Sequence, residues 1–425
     1  MSLDPLLTQA RLLDAADPLA PLRARFALPR DAQGKPLTYL CGHSLGLAPL
    51  DARRLIEEEL DDWANLGVEG HHRARRPWIG YAELLQDGLA QLAGARRDEV
   101  VAMNSLTVNL HLMMASFYRP QGKRIAIVVE EGAFSSDRHA VVSQIQWHGL
   151  DPAQALIELA PPPGQDLIDE SQLTELLAAR GDEVALVLWP GVQYRTGQAF
   201  DLGRITAAAH RAGAHCGFDL AHGMGNLPLA LHDDGADFAV WCGYKYLNGG
   251  PGALAGAFVH DRHARSTLPR LAGWWGHDPA SRFRMEPGFV PAPGAGGWQV
   301  SNPPILSATP LLASLQLFAE AGLPGLQAKS RALTAFLEAA LRERYAQALE
   351  VVTPGRPEAR GCQLSLRVRA GREKGRKVIA SLEAQGIVAD WREPDIVRVA
   401  PVPLYNRFED AARLVAGLDV ALAAP

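Results

Sequence analysis

GFDLAHGMGNLPLALHDDGADFAVWCGYKYLNGGPG, Gly217 to Gly252, contains two apolar runs that each stop at a polar group. The first run, HCGFDL, begins two residues earlier at His215 and carries Asp219 near its end. A turn bearing His222 follows. The second run, DFAVWCG, stops at Tyr244-Lys245 and gives way to the glycine-rich turn Asn248 to Gly252. Short apolar runs bounded by turn residues are the mark of buried strands. In open α/β sheets the strand ends are where ligands bind. An isolated pair of this kind reads equally as a surface lysine and a helix-capping aspartate. Here both residues close β-type runs, and glycine and aromatic neighbours let backbone come close. An aspartate to face a pyridinium nitrogen and a lysine to bond a carbonyl carbon are the two groups that a pyridoxal phosphate (PLP) site requires.

The same strand–turn–helix order recurs outward from this stretch. Val100 to Met103 leads into Asn104-Ser105-Leu106-Thr107 and a helix from Val108 to Phe117. Ser and Thr there read either as a plain N-cap or as a phosphate cradle at a helix start. Arg124 to Val129 is a strand, and Gly132 to Asp137 opens the next helix. Glu183 to Trp189 is another strand, ending in Pro190 to Gly197, and the helix Leu202 to Arg211 returns to the Asp219 strand. This order predicts an α/β fold with a mostly parallel, helix-covered sheet. The loops at Thr107, Phe134, Tyr194, Asp219 and Lys245 should then meet on one sheet edge.

Before the sheet, Met1 to about Arg30 reads as an amphipathic helical arm, and Leu37 to Leu40 as a short strand leading into Cys41 to Leu47. Helices follow over Leu50 to Leu66 and Tyr81 to Leu92. The loop between them carries His71-His72-Arg73-Ala74-Arg75-Arg76, which reads as an anion contact or as a solvated surface. Gly273 to Gly276 and Gly294 to Asn302 are rich in glycine and tryptophan without periodicity, as in segments that serve a site or an interface. Long helices from about Pro310 to Ala321 and from about Leu326 to Tyr345 lead to a small α+β region, with strands near 350–352, 362–368, 387–390 and 396–400. Its helices fall near 374–384 and 408–422. The division predicted is an N-terminal arm, 1–48, packing on the small domain; a large domain, 49–310; and a small C-terminal α+β domain, 311–425.

A chain of 425 residues suggests about two domains. A net charge of −5 without a basic run argues against nucleic-acid binding. No apolar run reaches spanning length and no signal peptide opens the chain. The four cysteines lack a CxxC pair, which fits a reducing cytoplasm and no metal site.

Taken together, CGHSLGL (Cys41 to Leu47), RPW (Arg76 to Trp78), NSLTVNLHLMM (Asn104 to Met114), GFDLAH (Gly217 to His222), YKYLNGGPG (Tyr244 to Gly252), GWWGH (Gly273 to His277), VSNPPIL (Val300 to Leu306) and RVAPVPLYNRFED (Arg398 to Asp410) resemble the kynureninases, in order and over nearly the whole chain. These are fold-type-I PLP enzymes of the aspartate aminotransferase superfamily. The resemblance implies a seven-stranded large-domain sheet and hydrolytic cleavage of the Cβ–Cγ bond of L-kynurenine or 3-hydroxy-L-kynurenine. The products would be anthranilate or 3-hydroxyanthranilate and L-alanine, within the kynurenine pathway of tryptophan catabolism that also feeds NAD biosynthesis.

It further implies roles. Lys245 is the covalent anchor of PLP, the base at the substrate Cα and the acid at the cofactor's C4′. Asp219 keeps the pyridine nitrogen protonated, Phe134 stacks on the ring, and His222 lies beside it. Leu106, Thr107 and Asp137 belong to the cofactor set, with Asp137 expected at the loop or ring and not at the phosphate. Tyr244 bonds the phosphate and relays protons. Trp274 and Asn302 match positions reached from a second subunit, which implies a homodimer with a shared site. Arg398 grips the α-carboxylate, with Ser44 also on the substrate side. His71, Ser301 and Asn302 face the aromatic ring, and this set leans toward the 3-hydroxy substrate. Two residues depart from the pattern: His43 stands where Asn is usual, and Pro190 where a hydroxyl residue is. A cysteine desulfurase, which would need Cys362 on a mobile loop, a class V aminotransferase and a non-catalytic PLP-binding module are the rival readings.

Overall fold

The computed structural model describes residues 3–423, so Met1, Ser2, Ala424 and Pro425 of the predicted arm and small domain lie outside it. A seven-stranded sheet runs in the order Val100–Ala102, Gly256–Val259, Phe238–Trp241, His215–Asp219, Val184–Pro190, Ala126–Glu130, Leu156–Leu159. Six of these strands point the same way. Gly256–Val259 runs antiparallel to both neighbours, while the pairs from Phe238–Trp241 to Leu156–Leu159 are all parallel. The sheet is mixed, because the chain doubles back immediately after the lysine loop.

Helices cover both faces, which is why the inner strands are continuous apolar runs with no exposed side. Phe218, Phe238, Phe258 and Trp241 are all fully buried, and each contributes roughly 2–3 kcal/mol of transfer free energy. Gly217 has no room for a side chain: a Cβ there would stand 2.1 Å from the Phe238 ring. The edge strand Leu156–Leu159 is only half-buried.

The two sheet edges differ. At the edge away from the lysine, two buried carboxylates act as hydrogen-bond hubs. Glu99 receives the backbone N–H groups of Arg96 and Asp261 (both 2.8 Å) and meets His232 Nδ1 at 2.9 Å. Asp237 receives Cys216 N–H at 2.7 Å and Arg262 Nη2 at 2.8 Å, and meets His210 and His263 at 2.9 and 2.7 Å. Their acceptors are filled by donors that fasten strand starts to loops.

A four-stranded antiparallel sheet, Leu349–Val351, Leu364–Val368, Ile396–Val399, Asp390–Arg392, forms the core of the C-terminal region. The helix Leu3–Ala15 packs on Phe408–Ala423, with Leu6 and Ala10 in the same apolar cluster as Leu414 and Leu418. Asp14 accepts the N–H groups of Phe408 and Glu409 (2.7 and 3.0 Å) and caps that helix. The arm differs from the helix predicted up to Arg30. It stops at Ala15, and Pro18 and Pro21 turn the chain into a 3₁₀ segment, Ala20–Arg25.

The basic patch is largely a solvated surface, with His71, His72, Arg73 and Arg75 exposed and Arg76 partly buried. Arg76 is pinned by Glu58 and Glu59 (2.9 and 2.6 Å) and Arg75 by Asp62 (2.7 Å), while Trp78 Nε1 donates to Glu59 at 2.9 Å. Among the described residues no single helix is long and apolar enough to cross a membrane.

Candidate active site

The polar strand ends do meet. Lys245 Nζ lies 5.8 Å from the centre of the Phe134 ring and 6.0 Å from that of Tyr244. The Phe134 ring packs edge-on to Tyr194 at 5.3 Å. Thr107 Oγ1 and Ser136 Oγ are 2.8 Å apart, which brings the N-termini of the helices Leu106–Phe117 and Ser135–Trp147 together. Ser105 makes no capping bond and Phe134 cannot, so no side chain caps either helix start, while the Asp137 N–H donates to the Phe134 carbonyl at 2.9 Å. An uncapped helix start leaves its first N–H groups available to an anion.

The lysine loop is held from several sides. Asn248 adopts the left-handed conformation (φ 52°), donates to the Tyr246 carbonyl at 2.9 Å and is fully buried. Gly46 N–H donates to the Tyr244 carbonyl at 2.8 Å. A Cβ on Gly46 would stand 2.4 Å from the Lys245 carbonyl oxygen, so the turn Cys41 to Leu47 can dock there only with glycine.

Asp219 ends its strand, buried, with Oδ1 accepting the Ala221 N–H at 2.6 Å. Two more carboxyl groups crowd it. Burial, reinforced by the charge on Asp219, pushes Asp137 well above the usual carboxylate range and Glu130 up to about 8. Both are thereby shifted toward the neutral form. Asp137 Oδ1 and His222 Nδ1 are buried without a hydrogen-bond partner. Buried polar groups are almost always paired, so these orphaned atoms beside an uncapped helix start and a lysine fit a planar phosphorylated heterocycle. Burial, with the positive charge of Lys245 and Arg398, holds His222 well below the ordinary histidine range and therefore neutral. Burial, then Cys242, pushes the Tyr244 hydroxyl up to about 12, so it stays a donor.

Arg398, fully buried, closes the other side. It donates to Asp390 through Nε and Nη2 (both 2.8 Å) and to the Tyr194 carbonyl through Nη1 (2.7 Å). Ser44 Oγ donates to Asp390 at 2.9 Å and lies 3.4 Å from Arg398 Nη2. His43 is fully buried, 3.8 Å from Asp390 through Nε2, and its ring is 6.3 Å from that of His222. Burial, then Arg398, pushes it down to about 4, so it is neutral.

His71, Trp274, Ser301 and Asn302 do not join this group. His71 is exposed and stacks edge-on to Trp78 at 5.5 Å. Trp274 is 48% exposed, and Ser301 bonds only Asn302, at 3.2 Å. Asp390 and Glu130, by contrast, belong to the group without having been read from the sequence. The partner of Arg398 is set by hairpin register, which the residue order alone does not reveal. Cys362 is fully buried in the core, its N–H fixed to Asn226 Oδ1 at 2.9 Å and its thiol pushed up to about 12 by burial. A mobile thiolate loop is thus absent at this position.

Two comparisons of structure fix the fold. A cysteine desulfurase from Escherichia coli superposes with a TM-score of 0.77 at 20% identity, over 95% of this chain and 98% of that one. A mutant of the cystine C–S lyase C-DES, with glycine linked covalently to its PLP cofactor, superposes with a TM-score of 0.76 at 19% identity, over 89% and 96%. The family model of the kynureninase C-terminal domain matches residues 326–418. A kynureninase from Xanthomonas campestris pv. campestris (strain B100) is 57% identical over 425 residues, the whole of both chains. One from Xanthomonas oryzae pv. oryzae (strain PXO99A) is 56% identical over 415 residues, 98% of each. With likeness of that degree over its full length, and with Lys245 and Asp219 at one edge of the seven-stranded sheet, this chain belongs to the kynureninase family.

Proposed function

We propose that the chain is a PLP-dependent hydrolase that cleaves the Cβ–Cγ bond of L-kynurenine or its 3-hydroxy form, releasing the aromatic acid and L-alanine. In a chain with full-length kynureninase relatives, the observation that carries this is the convergence of Lys245, Asp219 and Arg398 beside an uncapped helix start. PLP, when bound, supplies the electron sink for charge developing at the substrate Cα.

The protein's part is placement and proton transfer. The open N–H groups of Leu106 and Thr107, with the Thr107 hydroxyl, hold the phosphate, and Tyr244 donates to it. Asp219 would accept from the pyridine N–H, and Asp137, His222 and Phe134 would hold the ring. Arg398 and Ser44 fix the α-carboxylate. With the cofactor in place, Lys245 Nζ would be the base for the Cα proton and the acid that returns it. Tyr244, a donor at neutral pH, passes protons between the γ-carbonyl and water. The buried, immobile Cys362 disfavours the desulfurase reading.

His71, Ser301 and Asn302 are assigned to the aromatic end of the substrate, with a preference for the 3-hydroxy form. Exposed Trp274 and Asn302 support a homodimer in which these two residues complete the partner's site. The arm (1–48), large domain (49–310) and small domain (311–425) are the units proposed, and the setting is cytoplasmic tryptophan catabolism. No role in nucleic-acid or membrane binding is proposed.

Purified protein with PLP, given each substrate separately, should yield aromatic acid and alanine in equal amounts without a keto-acid co-substrate. No product from either would overturn the reading, and the rate ratio tests the ring assignment. Mixed dimers of Lys245→Ala and Asn302→Ala subunits should regain part of the activity if the site is shared.

A further inference from the structure

Asp390 and Arg398 are direct cross-strand neighbours in the hairpin Asp390–Arg392 to Ile396–Val399, so their side chains share one face. The contact is bidentate. Asp390 takes the Nε/Nη2 side of the guanidinium (both 2.8 Å), and the Tyr194 carbonyl takes an Nη1 N–H at 2.7 Å. A planar guanidinium has two forks. With the side fork filled by Asp390 and one Nη1 N–H by Tyr194, Nη1 and Nη2 each keep one further N–H, and these are the donors left for another carboxylate. Only the Ser44 hydroxyl stands near them, 3.4 Å from Nη2.

The charges point the same way. Asp390 also receives Arg392 Nη2 at 3.0 Å and the Ser44 hydroxyl at 2.9 Å. One carboxylate thus faces two guanidinium groups. His43 and Cys41, the other titratable groups against Asp390, are both held neutral by burial. The pocket keeps one uncompensated positive charge, which a single anion would balance.

We infer that Asp390 is a positioning residue: it fills the side fork of Arg398 and so presents the remaining Nη1 and Nη2 donors to the α-carboxylate of an amino-acid ligand. The inference rests on the assignment of Arg398 to that carboxylate. A purely structural ion pair would predict damage to folding and cofactor retention. A positioning role predicts a defect confined to ligands that carry the carboxylate.

The test uses the holoenzyme and its Asp390→Asn and Asp390→Glu variants. KM and kcat are measured with L-kynurenine, and L-alanine binding by titration of the cofactor absorbance. Binding of the decarboxylated amine of kynurenine is measured in the same way. Asp390→Asn keeps the shape but turns a donor toward the fork. It should raise KM and weaken L-alanine binding by on the order of 10- to 100-fold with kcat within about threefold. Affinity for the amine should be unchanged. Asp390→Glu keeps the charge and should fall between wild type and Asn, and it carries the test alone if the Asn variant does not fold. Unchanged KM and alanine affinity, or an equal loss for the amine, would overturn the inference. Wild type that binds L-alanine but does not cleave kynurenine would sink the proposed reaction and leave the Asp390 comparison readable from alanine alone.

Discussion

Glu130 closes the strand Ala126–Glu130 with its carboxyl buried beside Asp219 and Glu158, and burial pushes it up from 4.5 to about 8. An acid raised in the folded state binds more protons folded than unfolded between those two values. Its favourable contribution is therefore complete below about pH 4.5 and is lost as pH rises through about 8. At 1.36 kcal/mol per tenfold change, the span corresponds to roughly 4–5 kcal/mol. Glu130→Gln keeps the shape of the neutral acid and removes the titration. Urea unfolding of wild type and variant, both saturated with cofactor, should show the variant gaining roughly 3 kcal/mol on wild type between about pH 5.5 and about pH 8. A stability difference that does not change with pH, or a wild type that gains on the variant toward alkaline pH, would mean that Glu130 is ionised in the folded protein and would refute the reasoning.

Lys245→Ala should abolish the covalent lysine adduct that borohydride reduction traps in wild type, as read by peptide mass, and lower kcat by at least ~10³-fold. Lys329 and Asp17 form a buried pair at 2.8 Å, both under a tenth exposed. Lys329→Ala strands the carboxylate and should cost about 3–5 kcal/mol in denaturant unfolding, part of which Asp17→Ala restores in the double variant. Asp166, Arg195, Asp395 and Arg367 form a closed ring of ion pairs of 2.6 to 3.1 Å that joins the 193–197 loop to the C-terminal sheet. All four are about a quarter exposed, so Asp166→Ala should cost only about 1–2 kcal/mol, less at high salt. Arg367 beside it holds Asp166 below the usual carboxylate range, so wild type should lose this same increment as pH falls through that lowered value.

The strands that ended in Thr107, Phe134, Tyr194, Asp219 and Lys245 were legible because helices on both faces force their residues to be apolar throughout. Leu156–Leu159 escaped because an edge strand is half-exposed and carries no such run. Gly256–Val259 escaped because four residues following Gly249-Gly250-Pro251-Gly252 read as a continued turn. The helix Glu170–Arg180 buries only Leu173 and Leu177, too few to stand out as a stripe. At the site, chemistry attached to strand ends could be read, whereas chemistry created by register could not. Asp390 meets Arg398 only through hairpin pairing, and Glu130 becomes a neutral acid only through what surrounds it.

The reversed strand Gly256–Val259 has a consequence for which positions tolerate change. Because it runs against its neighbours, the chain emerges at the edge away from Lys245, yet it must regain the lysine side by Ser307, whose carbonyl accepts the Leu254 N–H at 3.3 Å. Residues 261–304 make that return, and they are anchored at the distant edge. Gly294 lies against the Asp98 carbonyl, where a Cβ would stand at 2.3 Å, and Trp298 is held between Arg270 at 3.6 Å and the ring of Phe117 at 6.2 Å. Trp274 and Asn302 hang from this strap. A side chain at Gly294, or loss of the Arg270 guanidinium, thus disturbs the strap that carries Trp274 and Asn302, far from the lysine.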